Sequence, residues 1–195
     1  MKVIGLTGGI GMGKTTAALA FRRARIPVFD ADATVHTLQA RGGRAVRPIG
    51  AAFPGTITDG AVNRAALRAI VFRAPEELRR LERIVHPLIH LEESLFLARA
   101  RRAGRRAAVI DNPLLFEMGS DKQADLVLVV SAPRDIQIHR VRKRRKMSQA
   151  DIEAVIARQM PDAEKRRRAD LVVRTGLSRN HTLRPLRRLI LGLLA

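Results

Sequence analysis

The chain contains no cysteine, no tryptophan and no tyrosine, and aromatic residues make up only 3% of its 195 positions. Without cysteine there can be no disulfide framework, thiolate nucleophile or cysteine metal site, a composition that suits a reducing, cytoplasmic setting. Without Trp or Tyr, a base-stacking platform for single-stranded nucleic acid would have to be built from six Phe alone. Long hydrophobic runs are also missing, so no membrane span is expected. Lys2 precedes only the short stretch Val3 to Leu6, soon interrupted by glycines and Lys14, which is not the pattern of a secretory signal. Acidic residues are scarce, with 18 Asp and Glu against 37 Lys and Arg.

The 46% hydrophobic and 28% charged content describes a folded chain, large enough for one domain or a domain with an inserted subdomain. Its formal charge of +19 invites a nucleic-acid reading, because clustered cations bind phosphates by counterion release. The distribution argues against a specific nucleic-acid partner. Only six cations are Lys, and the Arg residues are spread from Arg22 to Arg188, a bias that base composition of a genome can produce without any ligand.

No internal repeat or linker interrupts the chain. Lys2 to Thr7 reads as a buried strand bounded by Gly8-Gly9, and Lys14 to Arg25 has helix-forming composition. Residues 26–29 read as a second strand ending on Asp30-Ala-Asp32, and further short apolar runs recur at 107–110, 125–130 and 171–173. Strands alternating with helices predict an α/β fold with a five-stranded, mostly parallel sheet covered on both faces. Residues 33–104 have helical patterning and no convincing strand. Within them Leu78, Leu81, Ile84, Val85, Leu88 and Ile89 form an apolar stripe that Pro87 is expected to kink or divide. Residues 134–168 form a second helical region, rich in cations, with Ser148 expected as a helix N-cap. The C-terminal segment sets Leu183, Leu186, Ile190, Leu193 and Leu194 on one helical face, expected to pack on the sheet.

Gly8-Gly9-Ile10-Gly11-Met12-Gly13-Lys14-Thr15 satisfies the phosphate-loop pattern G-x-x-x-x-G-K-[ST], between a strand and a helix as that pattern requires. Backbone N–H groups converge there on phosphates while a helix N-terminus adds its positive end, and the glycines permit the close approach. Lys14 is expected to reach the β- and γ-phosphates, Thr15 to ligate magnesium, and Thr16 to support the α-phosphate end. Phosphoryl transfer also needs a carboxylate beside the acceptor hydroxyl. Asp30 and Asp32 follow the second strand, where ligands of an open parallel sheet gather. Either could instead cap a helix. Asp111 closes the third strand and reads either as a second-shell magnesium contact or as a satisfied turn residue. Arg140 and Arg144 lie four apart on one helical face, suited to charge developing on the transferred group or to simple solvation. His86 reads either as a core histidine or as a contact to an acceptor phosphate.

Together these residues resemble the dephospho-coenzyme A kinases, a P-loop kinase family. The phosphate loop Ile4 to Thr15 and Asp30-Ala-Asp32 carry the resemblance. So do Arg64-Ala-Ala-Leu67 with Val71-Phe72, His86-Pro87, Pro113-Leu-Leu-Phe-Glu117, Gln137-Ile-His-Arg140-Val-Arg-Lys-Arg144, Gln159 and Ala169-Asp170. The resemblance implies one domain, with a nucleotide-binding core at 1–32, 105–133 and 169–195, a helical coenzyme A-binding insertion at 33–104, and a lid at 134–168. It implies transfer of the ATP γ-phosphoryl group to the 3′-hydroxyl of dephospho-coenzyme A, the last step of coenzyme A biosynthesis. Asp32 then takes the catalytic carboxylate role with Lys14 and Arg140. Gly8, Gly9, Gly11, Met12, Gly13, Lys14, Thr15, Thr16, Arg140 and Arg144 hold ATP with magnesium. Asp32, Arg64, His86, Leu114 and Glu117 line the acceptor side. Met12 departs from the family loop, which often has a small residue there. A kinase of another small alcohol and a basic nucleic-acid-binding ATPase are the alternatives. The chain is expected to act as a monomer or weak homo-oligomer.

Overall fold

The computed structural model describes residues 1–72, 74–145, 148–157 and 159–194, the side chains at 144, 145, 150 and 179 excepted. Along the chain run β1 (Lys2–Thr7), α1 (Lys14–Arg23), β2 (Val28–Asp30), α2 (Ala31–Gln39), α3 (Val46–Ala52), β3 (Ile57–Thr58), β4 (Ala61–Val62) and α4 (Arg64–Val71). There follow α5 (Pro75–Arg102), β5 (Ala107–Asp111), a 3-10 turn (Ser120–Gln123), β6 (Leu126–Ser131), α6 (Arg134–Arg145), α7 (Gln149–Ala157), α8 (Asp162–Arg167), β7 (Leu171–Arg174) and α9 (Arg179–Leu194). Two compact units are present, Met1–Phe29 with Leu97–Ala195, and Asp30–Phe96.

The first unit is built on the five-stranded sheet, in the order β2-β5-β1-β6-β7. The registers of β1 with β5, β1 with β6, and β6 with β7 are parallel. A parallel sheet is covered on both faces, which is why these strands read as continuous apolar runs: β5 is buried at every position and β1 at all but Lys2. On one face Ile4, Leu6, Val109, Leu128, Val130 and Val173 pack against Phe21 of α1 and Leu186 and Ile190 of α9. Leu183, Leu189 and Leu193 add to this contact, while Leu194, the last residue of α9, is exposed. At the centre of the sheet Gly5 makes room for a crossing segment. A Cβ there would lie 2.7 Å from Leu115 Cδ2 and 3.2 Å from Ala124 Cβ.

The second unit is mostly helical, with one departure from expectation. A short antiparallel hairpin lies inside the stretch expected to lack strands, pairing Ile57 with Val62 and Thr58 with Ala61. Its turn is Asp59-Gly60, with φ of 52° and 74°. Two left-handed residues in a two-residue loop match the natural twist of a hairpin, and Asp-Gly favours that geometry. Strands of two residues are too short to leave an alternating pattern. Of the two outcomes expected at Pro87, division does not occur: α5 continues unbroken for 28 residues. Pro87 is exposed, while Val85 and Ile89 to either side are buried, so packing of the stripe carries the helix through the missing hydrogen bond.

Candidate nucleotide and phosphoryl-transfer site

The phosphate loop leaves the C-terminal end of β1 and opens α1. Gly13 is the N-cap of α1 with φ 92°, and the first turn of the helix carries no acidic side chain. The Thr16 N–H donates to the Gly13 carbonyl at 3.0 Å, while the Lys14 and Thr15 N–H groups precede the first helical hydrogen bond, and no acidic side chain in the first turn compensates the positive end of the dipole. Gly8 must be glycine for a different reason. A Cβ there would sit 2.4 Å from Val130 Cγ2 and 2.6 Å from the Val130 carbonyl.

Lys14 heads the helix with its ammonium 2.6 Å from Asp111 Oδ1, at side-chain exposures of 17% and 5%. The strand-end carboxylate that sequence left open between two roles thus grips the phosphate-loop lysine. Thr15, the next residue, is exposed. Met12 is buried, and its thioether accepts a hydrogen bond from the Ala132 N–H at 3.0 Å. The bulky residue therefore points into the protein and leaves its backbone in the loop.

The end of β7 and helix α6 hold the loop from outside. Thr175 Oγ1 donates to the Met12 carbonyl at 2.6 Å, and Arg140 donates to Thr175 Oγ1 at 3.0 Å and to its carbonyl. Gln137, buried in α6, donates to the Ile10 carbonyl at 2.8 Å, and Gln159 accepts from the Ile10 N–H at 3.0 Å. The glycines of the loop allow this approach: a Cβ on Gly11, whose φ is 75°, would lie 2.7 Å from Val141 Cγ2. The Arg144 side chain lies outside the described residues. Ser148 caps α7 as expected, accepting from the Asp151 N–H. A cavity of about 670 Å³ opens beside Gly13, Thr16 and Arg140 and runs past Arg23 and Leu177.

After β5, Asn112 Oδ1 accepts from the Leu114 N–H at 2.8 Å and shapes the Pro113–Glu117 turn. Glu117 turns one carboxylate oxygen toward protein partners. Its Oε1 accepts from the Met160 N–H at 2.9 Å and lies 3.1 Å from the Lys165 ammonium.

In the second unit the two acidic residues after β2 divide their roles. Asp30 is the N-cap of α2 and accepts from the Ala33 N–H at 3.0 Å, which leaves Asp32 exposed in the first helical turn. Arg64, the first residue of α4, donates to His36 Nδ1 at 2.7 Å. His86 is half-buried on α5. Burial pushes its pKa below the usual histidine value, the neighbouring Glu82 carboxylate opposes that, and His90 adds to it.

Thr175, Gln137, Gln159 and Lys165 are the functional neighbours that reading for catalytic residues missed. Two of them lie in segments that carry the family resemblance. A cheaper signal was available for Lys165, because lysine is rare in this chain.

Comparison with known proteins agrees with this geometry. The dephospho-CoA kinase family model matches residues 2–179. A dephospho-CoA kinase of Gluconobacter oxydans is 48% identical, covering 97% of this chain and 96% of that protein. One from Paramagnetospirillum magneticum is 57% identical, covering 85% and 78%. Among solved structures, TT1252 from Thermus thermophilus matches with a TM-score of 0.82 at 33% identity, covering 98% of this chain and 97% of that one. The dephospho-CoA kinase from Campylobacter jejuni shares the fold, with a TM-score of 0.72 at 22% identity over 98% and 99% of the two chains. A complete phosphate loop on this sheet, matched along nearly the whole sequence, places the chain in the dephospho-CoA kinase family of ATP-dependent phosphotransferases.

Proposed function

We propose that the chain transfers the γ-phosphoryl group of ATP to the 3′-hydroxyl of dephospho-coenzyme A, with Lys14, Asp32 and Arg140 as the catalytic residues. The observation that carries this reading is the Lys14 ammonium at the head of α1, beside Asp111 and above a helix N-terminus with no acidic residue in its first turn. That arrangement favours a polyphosphate. In the transfer, the acceptor oxygen bonds to the γ-phosphorus as the bond to the bridging β–γ oxygen breaks. The electron pair leaves with ADP, and the hydroxyl proton passes to the Asp32 carboxylate. Lys14 and Arg140 stabilise charge on the migrating group, whose transition state is loose and demands positioning more than covalent chemistry. Gly8, Gly9, Gly11, Met12 and Gly13 contribute backbone, Thr16 supports the α-phosphate, and Arg144 joins Arg140 in holding ATP. The cavity beside Thr16 and Arg140 has room for the nucleoside. Arg64, His86, Leu114 and Glu117 serve the acceptor.

A magnesium ion, when bound, neutralises charge between the β- and γ-phosphates. The donors suit it. The Thr15 hydroxyl is a hard oxygen ligand and the Asp111 carboxylate stands nearby at Lys14, while among the described residues no group of three or more His, Cys, Asp and Glu forms an all-protein cage. Magnesium characteristically takes one or two protein oxygens and completes its shell with phosphate and water.

An acceptor panel tests the reading, with dephospho-coenzyme A, other small alcohols and nucleotides, and duplex DNA as an ATPase activator. Turnover confined to dephospho-coenzyme A is expected. ATP hydrolysis stimulated by DNA, with dephospho-coenzyme A ignored, would overturn it. Lys14→Ala should lower kcat/KM at least about 10²-fold, and Asp32→Asn should lower kcat with ATP binding retained. Normal turnover by either variant would remove that residue from the mechanism.

A further inference from the structure

Residues 159–165, between α7 and the middle of α8, touch the loops that leave three neighbouring strands. Gln159 Oε1 accepts from the Ile10 N–H after β1. The Met160 N–H and the Lys165 ammonium both reach Glu117 Oε1 after β5, and Lys165 donates to the Pro113 carbonyl as well, at 2.7 Å. Asp162 Oδ2 accepts from Ser131 Oγ at 2.8 Å, at the end of β6. Seven residues therefore brace the phosphate loop against the turn after β5 and the end of the central sheet.

The anchor of this brace is unusual. The Lys165 side chain is 1% exposed, and removing an ammonium from water carries a desolvation cost that its two partners must offset. An apolar side chain of similar length would fill the same space without that cost. What it would not supply is a directed grip on both Glu117 and the Pro113 carbonyl. At the other end, Ile10 has its N–H held by Gln159 and its carbonyl held by Gln137, so the peptides on both sides of this residue are fixed. A Cβ on Gly9 would stand 3.3 Å from Gln159 Oε1 and 3.4 Å from Gln137 Nε2, so a side chain there would crowd both amides.

We propose that Lys165 is a positioning residue for phosphoryl transfer: anchored on Glu117 and the Pro113 carbonyl, it holds the 159–165 brace so that Gln159 fixes Ile10 and with it the phosphate-binding conformation of the loop. This rests on the reading of Gly8 to Thr15 as the ATP site. Lys165 touches no reacting atom. Its effect reaches the nucleotide through Gln159, and Glu117 is the other half of the anchor.

The test is a double-mutant cycle of Lys165→Met and Gln159→Leu, with steady-state kinetics in ATP, ADP affinity by calorimetry, and thermal midpoints, all at a temperature where each variant is folded. Each single variant should raise the KM for ATP and weaken ADP about tenfold or more, since small misplacements of a binding frame are costly. The double variant should lose no more than the larger single, because both changes release one brace. A lower melting midpoint with unchanged ATP and ADP parameters would make Lys165 a stability residue only. Multiplying losses would make the two residues independent, and either result overturns the proposal. If Lys165→Met does not fold, Glu117→Gln enters the same cycle, since it keeps an oxygen for Met160 and removes the charge facing Lys165. ADP affinity is measured without acceptor, so a wrong assignment of the acceptor would leave this test standing.

Discussion

In a chain with 31 arginines and six lysines, the positions that keep an ammonium are informative. Lys14 is mostly enclosed beside Asp111, and Lys165 is sealed against Glu117 and Pro113. A compact point charge fits such niches, where a planar guanidinium with five donors would leave protons unsatisfied. Lys14 was legible because its neighbours in sequence spell a pattern. Thr175 was not, because its partner lies 163 residues away and leaves no local trace; Lys165 and Gln137, with partners 52 and 127 residues away, showed only as a rare lysine and as part of a resembling segment. His86 offers a prediction at this scale. Burial holds its folded pKa below the ordinary histidine value of 6.5, so below that pH the unfolded chain binds a proton that the folded chain resists. Stability is therefore lost as pH falls from 6.5 toward the folded value. Thermal midpoints of wild type and His86→Gln between pH 5 and 8 should show the variant gaining relative to wild type as pH falls, and parallel profiles would refute this.

Elements were read well where they are long or buried on both faces, and less well where a turn or a proline decides. The five strands and α1 stood out through apolar runs and the glycine punctuation between them. The β3–β4 hairpin did not, although Asp59-Gly60 is a turn signal in its own right, because two-residue strands have no period. Asp30 and Asp32 could not be told apart in sequence. The structure separates them by giving Asp30 the cap of α2. At Pro87 local chemistry predicted a kink or a division, and the buried positions on either side kept the helix continuous. That continuity has a cost. Pro87 deprives the Arg83 carbonyl of its helical donor, and a helix-interior proline costs about 3 kcal/mol. Since Pro87 is exposed, Pro87→Ala should raise stability in urea unfolding by about 1–3 kcal/mol. A decrease would mean that the proline sets a bend on which the packing of Val85 and Ile89 depends.

At the scale of the whole molecule the +19 charge is the dominant feature, and only a few cations have a site to serve. Lys14 and Arg140 face the nucleotide loop, and Arg166, Arg167 and Arg168 pair with acidic side chains on and near α8. Arg44 and Arg80 pair with Glu92 and Glu77, and the net positive charge left over sets up a field of the sign that attracts polyanions and raises association rates. Screening shortens from about 10 Å at 0.1 M salt to about 3 Å at 1 M. The KM for ATP should therefore rise with KCl while kcat stays nearly constant, and duplex DNA retained at low salt should be released. A KM that does not respond to salt would remove the field from substrate capture.

The central place of β1 has a further consequence, for synthesis. This strand is translated well before its two neighbours in the sheet, which begin at Ala107 and Leu126, and the loop it feeds is fastened by Gln159 and Thr175. A ribosome adding about 5–20 residues per second leaves β1 with both edges unpaired for several seconds or more. Contacts of such sequence separation also slow folding once the chain is complete. The short, glycine-interrupted form of β1 limits the time-dependent hazard of an exposed apolar edge. The nucleotide loop is thus made long before the strands and side chains that complete it.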